Sequence, residues 1–359
     1  MSEKHINFID LNDYPVAWWN SLLELAHDIK ERPGAYGETC RGKVMATLFY
    51  EPSTRTQMSF QTAMIRLGGS IIGFDNPSTS SVSKGENLKD TTKIVSSYAD
   101  ILVMRHPMAG AAKAAALSAD CPVINAGDGG HLHPTQTLTD LLTLREVKGR
   151  LGGLTIGFCG DLKNGRTVHS LIKAMTSYPD NRFVLISTAA LGIPAYIRDR
   201  LDSCGADYTE VTSLEEAISA LDVLYMTRIQ KERFASEEEY RAQKDVYVLD
   251  RAKMLRAKPE LTVLHPLPRV DEITVEVDAD PRAQYFEQAR LGVFMRMALI
   301  KTIFDGTTVA APLLSGRTVP ACRCVNKTCI TNSEPYLPGS FLGIGDILEC
   351  EYCDERTLL

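Results

Sequence analysis

Lys43-Val44-Met45-Ala46-Thr47-Leu48-Phe49 runs directly into Tyr50-Glu51-Pro52-Ser53-Thr54-Arg55-Thr56, and this junction decides the fold of the first half of the chain. The first segment is a short apolar run of the kind that forms a strand buried on both faces. The second carries a proline and hydroxyl residues suited to a helix start. The same alternation continues on either side. Ser70–Phe74, Ile101–Met104 and Val123–Asn125 read as further strands, with helices at Phe60–Leu67, Leu88–Tyr98 and Thr135–Val147 and an amphipathic opening helix over Pro15–Ile29. Strands separated by helices predict a parallel sheet covered on both faces.

A second series follows the break at Gly149–Gly153. Its strands are expected at Leu154–Cys159, Phe183–Ser187, Val223–Met226, Val246–Leu249 and Thr262–Leu264, and a long apolar helix at Tyr285–Phe304. The fold class is therefore α/β, with two doubly wound parallel-sheet domains, an active-site cleft between them and a small C-terminal four-cysteine domain. Expected boundaries are 1–148, completed by the helix at 285–305, then 149–284, a Thr-, Gly- and Pro-rich linker at 306–320 and a tail at 321–359. In open α/β sheets ligands bind beyond the carboxyl ends of the strands.

The 359 residues allow two domains and a remainder. With 44% hydrophobic and 23% charged residues the chain has the composition of a globular protein, not a disordered or fibrous one. No leader-like segment opens it and no stretch approaches the ~18 apolar residues of a membrane span, so a cytoplasmic, non-membrane protein is expected. A net charge of -6 argues against a phosphate-holding nucleic-acid surface.

Ser53, Thr54, Arg55 and Thr56 lie where a strand enters a helix. Backbone N–H groups, hydroxyls and a guanidinium converge there, as a phosphate requires; a helix cap with an incidental arginine is the alternative. Arg166 and Arg228 each sit just past a strand of the second series. An arginine in that place binds a carboxylate as a bidentate fork, or else forms a surface ion pair.

Five of the nine cysteines crowd the end. Cys324 and Cys329, then Cys350 and Cys353, form two knuckles 20 residues apart, the spacing of a tetrahedral four-thiolate zinc site. Cys322 competes with Cys324 for the first position. So small a tail has too little core to fold alone, which makes the zinc structural, with no cofactor needed for catalysis. A nucleic-acid-binding ribbon is disfavoured because Glu334, Asp346, Glu349, Glu351, Asp354 and Glu355 make the tail acidic.

Four motifs occur in the order of the aspartate and ornithine carbamoyltransferase family, which Ile6 to Phe304 resembles. They are Ser53-Thr54-Arg55-Thr56, Val103-Met104-Arg105-His106-Pro107, His133-Pro134-Thr135-Gln136 and His265-Pro266-Leu267-Pro268-Arg269. The stretch Asp161-Leu162-Lys163-Asn164-Gly165-Arg166-Thr167-Val168-His169-Ser170, the segment Tyr225-Met226-Thr227-Arg228-Ile229-Gln230 and Pro266 resemble the aspartate branch. The tail resembles the zinc domain of the regulatory chain of that branch, without the nucleotide-binding domain that precedes it there.

The resemblance implies transfer of the carbamoyl group of carbamoyl phosphate to the amine of L-aspartate, early in pyrimidine biosynthesis, by a homotrimer with shared active sites. It implies that Ser53, Thr54, Arg55, Thr56, Arg105, His133 and Gln136 bind carbamoyl phosphate, together with Ser80 and Lys84 from a loop that reaches the neighbouring subunit. Arg55, Thr56, Arg105 and His133 would be catalytic. Lys84, Arg166, Thr167, Arg228, Gln230, Leu267 and Pro268 would hold aspartate. His106 and His131 match no family role and read as capping or packing residues. A transferase for another amino acid and a catalytically silent assembly subunit are the competing readings.

Overall fold

The apolar run Val44–Phe49 forms β1, an inner strand of the first sheet in the computed structural model, which describes residues 6–229, 236–243, 246–306, 313–319 and 322–358. The chain divides into two compact units, Met1–Leu138 with Gly292–Leu359, and Thr139–Leu291. Both boundaries fall inside helices.

In the first unit, α1 (Val16–Glu31) buries Trp18, Trp19, Leu22, Leu23, Ala26 and Ile29, one apolar stripe at helical spacing. Four strands, β1, β2 (Ser70–Phe74), β3 (Ile101–His106) and β4 (Val123–Asp128), form a parallel sheet in the order β2-β1-β3-β4. Helices α2 (Thr54–Arg66), α3 (Leu88–Ser96) and α4 (Ala111–Ala116) connect them, and α5 (Pro134–Lys148) leaves β4.

Helix α2 starts at Thr54, earlier than the Phe60 expected, because its first turn is polar and its buried stripe begins only at Thr56. Helix α4 has no counterpart among the expected elements. Its alanines favour a helix strongly but provide no polar-to-apolar contrast to mark one. The β3–β4 register shifts between Met104 and His106, so Arg105 emerges from an irregularity of the kind that re-aims a side chain.

In the second unit β5 (Thr155–Cys159), β6 (Arg182–Ile186), β7 (Asp207–Val211), β8 (Val223–Met226) and β9 (Thr262–Leu264) form a parallel sheet in the order β7-β6-β5-β8-β9. Helices α6 (Arg166–Met175), α7 (Ala195–Ser203), α8 (Leu214–Ala217), α9 (Glu237–Gln243) and α10 (Arg251–Arg256) belong to this unit, and α11 (Tyr285–Asp305) runs from it into the first.

The strand expected at Val246–Leu249 is not one. That segment makes a single bridge, Leu249 to Ile273, and the edge position is taken by Asp207–Val211. An apolar run satisfied by core packing needs no ladder, whereas a half-exposed edge strand carries little apolar signal.

The tail contributes α12 (Ile330–Ser333) and an antiparallel sheet of β10 (Arg317–Thr318), β11 (Ser340–Ile344), β12 (Ile347–Cys350) and β13 (Arg356–Leu358). It has no core of its own. Cys324, Cys329, Ile330, Phe341, Cys350, Tyr352 and Cys353 belong to one apolar cluster with Leu48, Leu102, Met104 and the alanines of α4.

Gly73 in β2 has φ +136°, and a Cβ there would stand 2.0 Å from the Thr47 carbonyl oxygen of the neighbouring strand. Gly205 also has positive φ, +65°, but with nothing within 4 Å. Gly73→Ala should cost at least about 3 kcal/mol in denaturant unfolding and Gly205→Ala only about 1 kcal/mol, the backbone strain alone.

Candidate active site

A parallel sheet sends every strand's carboxyl end to one edge. In the first unit that edge leads from β1 to Ser53–Thr56, from β2 to Ser80 and Lys84, from β3 to Arg105 and from β4 to His133. Ser53 occupies the N-cap position of α2 but makes no capping bond with its side chain. Its hydroxyl instead donates to Thr56 Oγ1 at 3.0 Å. The first-turn N–H groups are thus left for another acceptor, which favours the anion reading over the cap.

Arg105 is largely buried, with Nη1 at 3.4 Å from His133 Nε2 and Nη2 at 2.9 Å from Glu51 Oε2. Burial, opposed by Glu51, lowers its pKa. The Arg55 pKa is lowered first by burial and then by the charge of Arg105. Two guanidinium groups in repulsion, only one with a described carboxylate partner, form an electrostatic site for an anion.

Ser80 lies between two successive 3-10 turns, Pro77–Thr79 and Ser81–Lys84, and Lys84 ends the second. The Ser80 hydroxyl bonds within that loop, donating to Pro77 O at 2.8 Å and accepting from Val82 N at 3.3 Å, while Lys84 is exposed. Gln136 is half-buried in the first turn of α5, and its backbone N–H donates to the His133 carbonyl at 2.9 Å.

His106 is engaged by local partners. Its Nδ1 accepts from Met108 N at 3.0 Å, its ring packs on Tyr50, and burial lowers its pKa to about 4. His131 is more than a cap. Burial would lower its pKa, but Asp128 and Asp354, one on each ring nitrogen, raise it to about 10.

In the second unit three adjacent strands, β5, β8 and β9, deliver the remaining candidates. Asp161 leaves β5, receives Asn164 N at 2.9 Å and donates its own N–H to Thr227 Oγ1 at 3.0 Å. The buried His169 ring donates from Nε2 to Leu162 O at 2.6 Å, while Nδ1 accepts from Tyr196. These bonds fix the loop that presents Arg166 and Thr167 at the start of α6, a helix whose N-cap is Gly165 and has no side-chain cap. Arg228 follows Thr227 directly and is half-buried. Gln230 lies outside the described residues.

After β9, His265 Nδ1 accepts from Leu267 N at 2.7 Å and its Nε2 meets Glu272 Oε1 at 2.7 Å. Leu267 has φ +53°, which a leucine holds only under such constraint, and the Leu267–Pro268 peptide is cis. Arg269 turns away to Asp278 and the Tyr285 ring. Buried Tyr225, Asp140 and Gln288 support the same edge, with Tyr225 OH and Gln288 Nε2 both donating to Asp140 and Gln288 Oε1 receiving His265 N.

In the tail, Cys324, Cys329, Cys350 and Cys353 are buried with their sulfurs all within 4.8 Å of one another. The Cys324–Cys353 and Cys329–Cys350 separations are 3.4 and 3.9 Å. A tetrahedral ion with metal–sulfur bonds of about 2.3 Å spaces its ligands by about 3.8 Å, so the four residues fit a metal. Cys322 is outside the group.

Sequence reasoning did not identify Glu51, Asp128, Asp161 or Thr227. Glu51, Asp161 and Thr227 stood inside the quoted motifs, and their position there was the available signal. Asp128 and Asp354 had none.

Three family models match the chain. One described as aspartate/ornithine carbamoyltransferase, carbamoyl-P binding domain covers 6–146, and one for the Asp/Orn binding domain covers 152–303. The third, aspartate carbamoyltransferase regulatory chain, metal binding domain, covers 319–357. The chain is 58% identical over 301 residues to an aspartate carbamoyltransferase catalytic subunit of Clostridium perfringens, covering 84% of this chain and 97% of that one.

Among solved structures, the catalytic subunit of M. jannaschii aspartate transcarbamoylase aligns with TM-score 0.79 at 42% identity, over 85% of this chain and 99% of that one. The Trypanosoma cruzi enzyme in complex with N-(phosphonacetyl)-L-aspartic acid aligns with TM-score 0.78 at 40% identity, over 83% and 96%. The chain belongs to the aspartate/ornithine carbamoyltransferase family.

Cys324→Ser should remove bound metal and lower stability by several kcal/mol, whereas Cys322→Ser should keep a full complement per chain by atomic emission.

Proposed function

We propose that this chain is an aspartate carbamoyltransferase, which transfers the carbamoyl group of carbamoyl phosphate to the amine of L-aspartate, giving N-carbamoyl-L-aspartate and phosphate. The observation that carries this reading is the Arg105–His133 pair, 3.4 Å apart and joined by the charge of Arg55 beside the uncapped start of α2. Pyrimidine biosynthesis is the setting that the family supplies. The T. cruzi relatives solved with carbamoyl phosphate and aspartate support both substrates.

The phosphate would take the first-turn N–H groups of α2, the hydroxyls of Ser53, Thr54 and Thr56, and the Arg55 and Arg105 guanidinium groups. Ser80 and Lys84 serve the same phosphate, reaching a neighbouring copy in a homotrimer; their local bonding and exposure in this chain suit that use. Arg166, Thr167 and Arg228 would grip the two aspartate carboxylates, with Gln230 and Lys84, while the Leu267 and Pro268 backbone orients the amine. Gln136 would accept from the carbamoyl N–H.

Attack by the neutral amine on the carbonyl carbon puts negative charge on the carbonyl oxygen. His133, Arg105 and the Thr56 hydroxyl stabilise it as fixed donors. Collapse expels phosphate, which takes the amine proton. Among the described site residues no nucleophile is paired with a base, so positioning of two anions and exclusion of water supply the acceleration.

Zinc is the metal that four thiolates select, and it would be structural, tying the tail together. A cytoplasmic location suits a thiolate site that must stay reduced. Among the described residues no helix is long and apolar enough to cross a membrane.

Colorimetric assay of carbamoylated product should give strong colour with aspartate and none with ornithine; colour with ornithine would overturn the roles of Arg166 and Arg228. His133→Ala should lower kcat about 100-fold with carbamoyl phosphate binding nearly unchanged. Arg228→Ala should instead raise KM for aspartate about 100-fold.

A further inference from the structure

The tail packs against the rest of the first unit at the loops that follow its strands. Ala109, in the loop after β3, donates to Thr328 O at 2.9 Å and accepts from Ile330 N at 2.9 Å. Thr328 and Ile330 flank the metal-site residue Cys329. Leu88 N, at the start of α3 and just past the Ser80 and Lys84 loop, donates to Glu334 Oε1 at 3.1 Å. Each contact sits in a connection that follows a strand carrying or leading to a site residue.

The third contact is made by side chains. Asp354, next to Cys353, places Oδ2 at 3.0 Å from His131 Nε2, and His131 Nδ1 lies 3.1 Å from Asp128 Oδ2. Buried Asp128 also receives Gly110 N at 2.7 Å, Asn125 Nδ2 at 3.1 Å and Leu132 N at 3.1 Å. Leu132 immediately precedes His133. An unbroken hydrogen-bonded path therefore runs from the tail to the residue beside the candidate catalytic imidazole.

A sensitive distance lies beside the end of that path. The His133–Arg105 separation of 3.4 Å is at the long end for a hydrogen bond, so a loop shift of a few tenths of an ångström alters it strongly. The loop cannot relax freely on its other side either. Gly129 has φ +54°, and a Cβ there would stand 2.8 Å from Pro107 O, so the two loops are in close backbone contact.

We propose that the tail is a positioning element of the catalytic unit, with Asp354 acting through His131 and Asp128 to set His133 against Arg105. The proposal rests on the role given to His133 above. It makes Asp354 a positioning residue for the transfer reaction, in addition to any contribution of the tail to stability.

The test uses the full-length, metal-loaded chain. Asp354 has φ +58°, so asparagine is its conservative replacement and alanine its deletion. Asp354→Ala should lower kcat about tenfold, leave KM for carbamoyl phosphate within about twofold and retain full metal by atomic emission, with Asp354→Asn recovering most of the loss. His131→Ala should show the same loss, and the double variant no more than either single one. Exposed Glu355→Ala should behave as wild type. The His133 ring resonance in histidine-labelled protein, assigned with His133→Gln, should move in Asp354→Ala but not in Glu355→Ala.

Wild-type kcat and an unmoved His133 resonance in metal-replete Asp354→Ala would overturn the proposal, as would additive losses in the double variant. If Asp354→Ala loses metal or unfolds, His131→Ala, which leaves every tail residue intact, decides on the same readouts. A wild-type chain that turns over neither amino acid would overturn the reading of function instead, and the His133 resonance would still decide the positioning claim.

Discussion

Parallel strand alignment is the constraint on which the rest of this structure depends. Because β1 to β4 point the same way, their carboxyl ends deliver Ser53–Thr56, the Ser80 and Lys84 loop, Arg105 and His133 to one edge, although these residues span 81 positions of sequence. The sheet of the second unit does the same for Arg166, Arg228 and Leu267 from β5, β8 and β9. At the edge of the first unit Arg55 and Arg105 share one described carboxylate, Glu51, and that imbalance suits an anionic substrate.

The tail answers a different constraint. Its sheet is too small to bury a core, and its apolar residues join the cluster of the first unit. Four buried cysteine sulfurs at tetrahedral spacing fit a metal ion, which would hold them as thiolates. The same closure aligns Thr328, Ile330, Glu334 and Asp354 against three loops of the first unit. A module that resembles part of a separate regulatory chain thus shares, within one chain, the core of the unit on which it packs.

Much of this was legible from residue patterns because buried parallel strands are short apolar runs, and because phosphate and thiolate sites use contiguous motifs. Elements without contrast were not. The Ala111–Ala116 helix is uniformly apolar, the Asp207–Val211 strand is half exposed, and Val246–Leu249 is apolar through packing and not through a ladder. Spacing alone favoured Cys324 over its competitor Cys322, and the placement of the sulfurs agrees. The Asp354–His131–Asp128 path joins residues 223 positions apart and leaves no local trace, so His131 read as a cap.

The central claim is that a phosphate site on the first unit and a dicarboxylate site on the second serve one reaction. Calorimetric titration with N-(phosphonacetyl)-L-aspartate, which joins a phosphonate to aspartate in one molecule, tests it most directly. The account predicts one site per chain, weakened at least about 100-fold by Arg105→Ala or by Arg228→Ala, as loss of a charge-assisted bidentate contact requires. It also predicts that binding of inorganic phosphate alone responds to Arg105→Ala but not to Arg228→Ala. Undiminished binding of the joined compound by Arg228→Ala would contradict the account.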